Sequence, residues 1–115
     1  MPLISLQTDI EQTPAARESL LGELSGIVAA VIGKPESSVM VILQPAGMAM
    51  AATPGQAAFV ELRSIGGLNA DVNRRLSERI CAALQTALGV PPERVYINFI
   101  DIARADWGWN GSTFA

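Results

Sequence analysis

The chain has 115 residues, half of them hydrophobic and 17% charged, with a formal net charge of −3. That length suits one domain, 1–115. The acidic balance, with Arg74 and Arg75 as the longest basic run, argues against a nucleic-acid partner, and no apolar run approaches the roughly 20 residues that a bilayer-spanning helix needs. One cysteine, Cys81, and no histidine exclude an intramolecular disulfide, a Cys-x-x-Cys pair, Ser–His or Cys–His nucleophilic machinery and a His-based zinc site. So apolar a chain of this size either hides surface in a subunit interface or is a monomer with a rich core; the interface is the expectation. Ser5, Gln7, Thr8, Asp9 and Glu11 interrupt any signal-peptide core, so a cytoplasmic location is expected, with export by another route left open.

In chain order, "LISLQT" (3–8) alternates apolar and polar residues and predicts a strand. "TPAARESLLGELSGIVAAVIG" predicts a helix with Thr13 as N-cap, Pro14 in the first helical position and Gly33 as the stop. Leu20, Leu21, Leu24, Ile27, Val28, Val31 and Ile32 form its apolar face. "KPESS" turns the chain into "VMVILQP" (39–45), a strand apolar on both faces. "AFVELRSIG" (58–66) predicts a third strand. "NADVNRRLSERICAALQTALG" (69–89) predicts a second helix capped by Asn69, with Val72, Leu76, Ile80, Leu84 and Leu88 inward and Gly89 as the stop; Cys81 there reads as a buried thiol. "VPPER" turns into a fourth strand, "VYINFIDI" (95–102). The tail "ARADWGWNGSTFA" (103–115) is either a hairpin capping the core or a segment reaching a neighbouring subunit to build an aromatic pocket.

The two halves, about 2–45 and 58–102, repeat. When Leu3 is laid on Phe59, Ile4 meets Val60, Leu6 meets Leu62, Gly33 meets Gly89, Pro35 meets Pro91, Val39 meets Val95 and Val41 meets Ile97. This register predicts a duplicated βαβ unit. Two such units side by side give an α/β (α+β) domain, a four-stranded sheet with both helices on one face. The other face needs a cover, and another subunit is the economical one.

Position 2 carries the candidate chemistry. Proline is small enough for the initiator Met1 to be trimmed, which would leave Pro2 as a secondary amine at the start of a strand. An α-amino group titrates near 7.7–8.0 in model peptides, and an apolar pocket beside a cation lowers that value. A fall to ~6 would make the nitrogen a general base at neutral pH. Lys34, in "GKP" after the first helix, is the candidate cation, because the loop after a βαβ helix returns to the end where strands begin. The alternative is a solvated turn lysine favoured by the helix dipole. Tyr96 and Asn98 share one face of the fourth strand; they are either a hydrogen-bonded interface pair or part of a pocket.

"MP" before an alternating strand, "GKP", "SIGG", "VYINF" and "GWNGSTFA" together closely resemble the macrophage migration inhibitory factor family of the tautomerase superfamily, along the full length. The resemblance implies a four-stranded mixed sheet with two antiparallel helices on one face, and a homotrimer with active sites between subunits. It implies a cofactor-free isomerase of the phenylpyruvate tautomerase or dopachrome isomerase type, acting on a small aromatic 2-oxo acid or its enol. Pro2 would be the base. Substrate-binding positions would be Lys34, Ser64 and Ile65 from one subunit, Tyr96 and Asn98 from its neighbour, and Trp107, Trp109 and Phe114 around the ring. No metal, cofactor, nucleic acid or membrane enters. A cytokine-like or partner-binding protein with a residual site is the alternative, since animal members are secreted cytokines; superfamily decarboxylase or dehalogenase chemistry is the more distant one. Four departures bear on substrate and receptor choice: "AAFV" (57–60) stands where the family carries Cys-x-x-Cys, Trp107 replaces a smaller aliphatic residue, Arg63 replaces a common histidine, and "KPESS" lacks an aromatic.

Overall fold

The structure, a computed structural model, describes residues 1–115. Strand β1 (Pro2–Thr8), helix α1 (Pro14–Ile32) and strand β2 (Met40–Pro45) form the first half. Strand β5 (Ala58–Ser64), helix α2 (Ala70–Leu88) and strand β6 (Val95–Asp101) form the second. Between the halves lies a hairpin of β3 (Ala49–Met50) and β4 (Thr53–Pro54), and the tail holds another, β7 (Gly108–Trp109) and β8 (Ser112–Thr113). The main sheet runs β2-β1-β5-β6. Each half contributes a parallel pair, and the halves join antiparallel through β1 and β5, with Pro2 opposite Ser64 and Thr8 opposite Ala58. The sheet is therefore mixed, and both helices lie on one side of it.

Local chemistry accounts for the helix limits. Thr13 accepts the Ala16 N–H at 3.1 Å and Pro14 supplies a pre-set φ, as an N-terminal cap requires. Asn69 does the same for α2, accepting the Val72 N–H at 2.9 Å. Gly33 and Gly89 end the helices in the left-handed region, with φ of +78° and +70°, where a Cβ would be strained. Val39, expected to open the second strand, instead closes a 3-10 turn by donating to the Glu36 carbonyl, so β2 begins at Met40. The third strand ends at Ser64 because residues 65–67 turn away.

The core lies between sheet and helices. Ile4, Leu6, Val60 and Leu62 from the central strands meet Leu20, Leu24 and Val28 of α1 and Leu76, Ile80 and Leu84 of α2, all essentially sealed from solvent. The helix residues here belong to the inward faces predicted from helical spacing, but Leu21, predicted for the same face, stays partly exposed outside the core. Cys81, expected to be buried, is only partly so; burial still pushes its thiol above its ordinary value, which suits a packing residue more than a nucleophile. The outer face of the sheet is uncovered. Strand register puts Leu3, Met40, Ile42, Phe59, Tyr96 and Ile100 there around the Glu61–Arg63 ion pair, and Met40 and Tyr96 are 61% and 66% exposed. No helix is long and apolar enough to cross a membrane.

The segment 46–57 has no obvious pattern in sequence, yet it is held tightly. The Asp9 carboxylate accepts the N–H groups of Gln56 and Ala57 at 2.9 and 3.1 Å; the Ala57 bond is the leading reason its pKa is lowered. The Arg94 guanidinium donates to the carbonyls of Met50, Thr53, Gly55 and Gln56. A planar fork with five N–H groups can hold several carbonyls at once, and a lysine cannot. Replacing Arg94 by alanine should lower stability by about 1–3 kcal/mol and open a protease cleavage site within 46–57. An unchanged melting temperature and cleavage pattern would contradict this assignment.

Candidate functional site

The amino end of β1 is a meeting point. The turn after α1 returns there, the end of β5 lies beside it in antiparallel register, and the tail after β6 folds across it. Pro2 is buried at the first position of β1. Beside it, Met1, Leu3, Ser37, Ser38, Val39, Met40, Trp107, Gly108 and Trp109 complete the lining of a cavity of about 560 Å³. That volume and mostly apolar wall suit a small ring-bearing ligand.

The loop 65–67 forms a rigid shelf at this end. Lys34 Nζ donates to the Ile65 carbonyl at 2.6 Å. Ser64, fully buried on the helix side of β5, donates its hydroxyl to the Gly66 carbonyl at 2.7 Å. Asp101 Oδ1 accepts the Gly66 N–H at 2.9 Å. The next residue, Gly67, has φ of +79°, and a Cβ there would stand 2.8 Å from Ile32 Cγ2 and 3.5 Å from Lys34 Cε. The shelf therefore fixes the lysine stem as well as the backbone.

Electrostatics favour a neutral amine here. The amino group of Met1, adjoining Pro2, is held below its ordinary value, first by burial and then by the positive charges of Lys34 and Arg104. All three act on the same form, since each disfavours the protonated amine. Neither Lys34 nor Arg104 takes part in any of the four ion pairs, which belong to Arg63, Arg74 and Arg75. Their charge at this end is not neutralised by a bonded carboxylate.

The tail builds the aromatic wall. Trp107 is half-buried and lines the cavity. Trp109 and Phe114 stack across the hairpin with ring centroids 5.8 Å apart and planes 13° from parallel, an offset arrangement favoured by ring quadrupoles. Phe114 donates its N–H to the Trp107 carbonyl at 3.3 Å. The tail forms a hairpin, and its Trp107 and Trp109 supply aromatic surface to this chain's own cavity.

The structure brings Pro2, Lys34, Ile65, Trp107, Trp109 and Phe114 to one end of the molecule, with Ser64 beneath the loop. It does not bring Tyr96 and Asn98 there. Tyr96 pairs with Phe59, which pairs with Gln7, five positions along β1 from Pro2 and so roughly 17 Å away along the strand. Asn98 aligns with Glu61 and Ser5. Both side chains point from an edge strand into solvent. Arg104 was not singled out by sequence; a cation inside an otherwise aromatic tail was the available signal. Asp101 and Gly67 carried none, because their roles depend on strand register.

A duplicated βαβ unit folded as a four-stranded mixed sheet with both helices on one face is the tautomerase-superfamily fold. The chain belongs to the macrophage migration inhibitory factor family, whose description "Macrophage migration inhibitory factor (MIF)" matches residues 1–115. It is 36% identical to the macrophage migration inhibitory factor of Rattus norvegicus over 116 aligned residues, covering all of both chains. The MIF homologue of Prochlorococcus marinus superposes with a TM-score of 0.91 at 40% identity, covering 98% of this chain and 99% of that one. The MIF-like protein of Entamoeba histolytica superposes with a TM-score of 0.95 at 26% identity, covering 98% of each.

The shelf makes a direct test available. Gly67→Ala should cost about 1–3 kcal/mol in denaturant unfolding, from the left-handed backbone and the forced contact with Ile32. An unchanged midpoint would show that the loop is not fixed as described.

Proposed function

We propose that this chain is a cofactor-independent keto–enol tautomerase of the phenylpyruvate or dopachrome type, with Pro2 as general base once Met1 has been removed. The observation that carries the proposal is the buried proline at the head of β1, in a cavity where burial and two cations hold the adjacent amine below its ordinary pKa. Removal of Met1 would move the terminal amine by one residue, onto a ring nitrogen with no side-chain freedom. The neutral nitrogen takes a proton from the carbon next to the substrate carbonyl and returns it at the other end of the enol system. The protonated amine that forms between the two transfers is the only charge the base must carry, and the strand holds it in position.

Lys34 supports the electrostatic half of the reaction. One of its N–H groups is held by the Ile65 carbonyl, leaving the others for a substrate carboxylate or the developing oxyanion. The Ile65 backbone orients the polar end, and Ser64 serves it by holding the loop. Trp107, Trp109 and Phe114 pack the ring. Because Trp107 is bulky and lies on the cavity wall, it narrows the choice of ring.

The same proposal assigns a homotrimer with sites between subunits. Tyr96 and Asn98 face solvent from an edge strand, far from Pro2 of their own chain, and the open sheet face still carries exposed Met40 and Tyr96. Sites shared between neighbours would use both features, with Tyr96 and Asn98 completing the pocket of the next chain.

The test joins mass spectrometry of the purified protein to a phenylpyruvate ketonisation assay. The mature protein should lack Met1 and turn over phenylpyruvate, and Pro2→Gly should lose at least ~100-fold in kcat/KM, the scale of a lost general base. Retained Met1, or a Pro2→Gly variant with undiminished turnover, would remove the amine from the mechanism.

A further inference from the structure

The opposite end of the sheet holds a second cavity. Strands β1 and β2 run parallel and finish together, with Thr8 opposite Pro45, and α1 begins a few residues beyond, at Pro14. Among these ends lies a hollow of about 310 Å³. The crevice outside the carboxyl ends of strands is where open α/β sheets commonly take ligands. Thr8 stands at the far end of β1 from Pro2, roughly 20 Å along the strand, so this hollow is separate from the candidate site. Its floor is already built. Thr8 is 2% exposed; its hydroxyl donates to the Ala57 carbonyl at 2.9 Å and accepts the Ile10 N–H at 3.3 Å. Ile10, Leu43 and Pro45 line the hollow around it.

The rim carries both charges, unpaired. Glu11 is the one carboxylate on the lining and Arg17 the one cation, yet neither joins any of the four ion pairs. The nearby Asp9 is already occupied by the N–H groups of Gln56 and Ala57. Arg17 stands in the first turn of α1, where no acidic residue accompanies it. A cation at the positive end of a helix is unfavourable unless an anion answers it, so helix stability does not account for this arginine. Gln12 also lines the hollow, and its Oε1 is buried without a hydrogen-bond partner. That oxygen gives up no bond when the amide turns towards a donor in the hollow. An acid, a base and an apolar floor around one small space match a molecule that carries both charges and an apolar group. From this juxtaposition we infer that the hollow binds a free α-amino acid with an aliphatic side chain. Arg17 takes the carboxylate in a two-pronged hydrogen bond, Glu11 and Gln12 take the ammonium, and Ile10, Leu43 and Pro45 cover the side chain. A simple anion would meet Arg17 but be repelled by Glu11, and an amine the reverse. The site goes beyond the tautomerase reading and does not depend on it.

The test is an NMR titration of the 15N-labelled full chain with leucine, leucinamide and 4-methylpentanoate. The second ligand lacks the carboxylate and the third lacks the ammonium. Leucine should give saturable shifts at the amides of Ile10, Glu11, Gln12, Arg17, Leu43 and Gln44, with a Kd of about 1 mM or below, a scale open to so small a ligand. Each of the other two should bind about tenfold more weakly, the scale of one charge-assisted hydrogen bond. The exposed-residue variants assign the charges. Arg17→Gln should bind leucine and leucinamide alike, and Glu11→Gln should bind leucine and 4-methylpentanoate alike. Shifts that do not saturate, shifts confined to the cavity at Pro2, equal binding of all three ligands by the wild type, or either variant discriminating as the wild type does would each overturn the assignment. Pro2→Gly should bind leucine as the wild type does, whatever its turnover of phenylpyruvate, so failure of the catalytic reading leaves this one standing; loss of leucine binding in that variant would place the ligand at the other cavity and overturn the assignment.

Discussion

The bond from Lys34 to the Ile65 carbonyl ties the end of α1 to the end of β5 across the head of β1. Everything at the candidate site is arranged around it. The lysine is delivered by a left-handed glycine stop, Gly33, after which the Lys34 N–H still donates to Ala29. The carbonyl is presented by a loop that Ser64 and Asp101 hold from two other directions. A positive charge on a flexible four-carbon stem is thereby kept beside a strand terminus instead of wandering in solvent.

That placement adds to the electrostatics of the strand terminus. Burial is the largest influence on the amine there and the two cations add to it, so the neutral form is favoured by agreement among independent causes. The duplication explains why such a position exists. Two βαβ halves meet antiparallel through β1 and β5, which brings the first residue of one half against the last strand residue of the other. The counterpart of Lys34 in the second half is Val90, which is fully buried, so the repeat carries this chemistry in one half only.

Much of the frame was legible because it is encoded locally. Thr13, Asn69, Gly33 and Gly89 cap the helices as their residue types require, and the buried leucines and valines recur at helical spacing. Resemblance added the mixed sheet, which alternation within single strands cannot supply, since pairing direction is a long-range property. The remainder was hidden for the same reason. Arg94 reaches a segment some forty positions away in sequence, Asp101 meets Gly66 only through strand register, and Arg104 finds Phe114 only when the tail folds back. Tyr96 and Asn98 were readable as a polar pair on one strand face, but their distance from Pro2 emerged only from the register of three strands.

The central claim is that the amine at the head of β1 is held below its ordinary pKa because of where it sits. An NMR titration of the protein freed of Met1 and labelled with 15N-proline measures this directly, with the peptide Pro-Leu-Ile-Ser as reference. The Pro2 nitrogen should titrate below the peptide. It should move part of the way back in Lys34→Met, since burial remains when that cation is gone. The sign follows from the charge: a site that disfavours the cation keeps the base available to lower pH, and proton abstraction fails as pH falls through the amine's pKa. A Pro2 nitrogen that titrates with the peptide, in wild type and variant alike, would contradict the account.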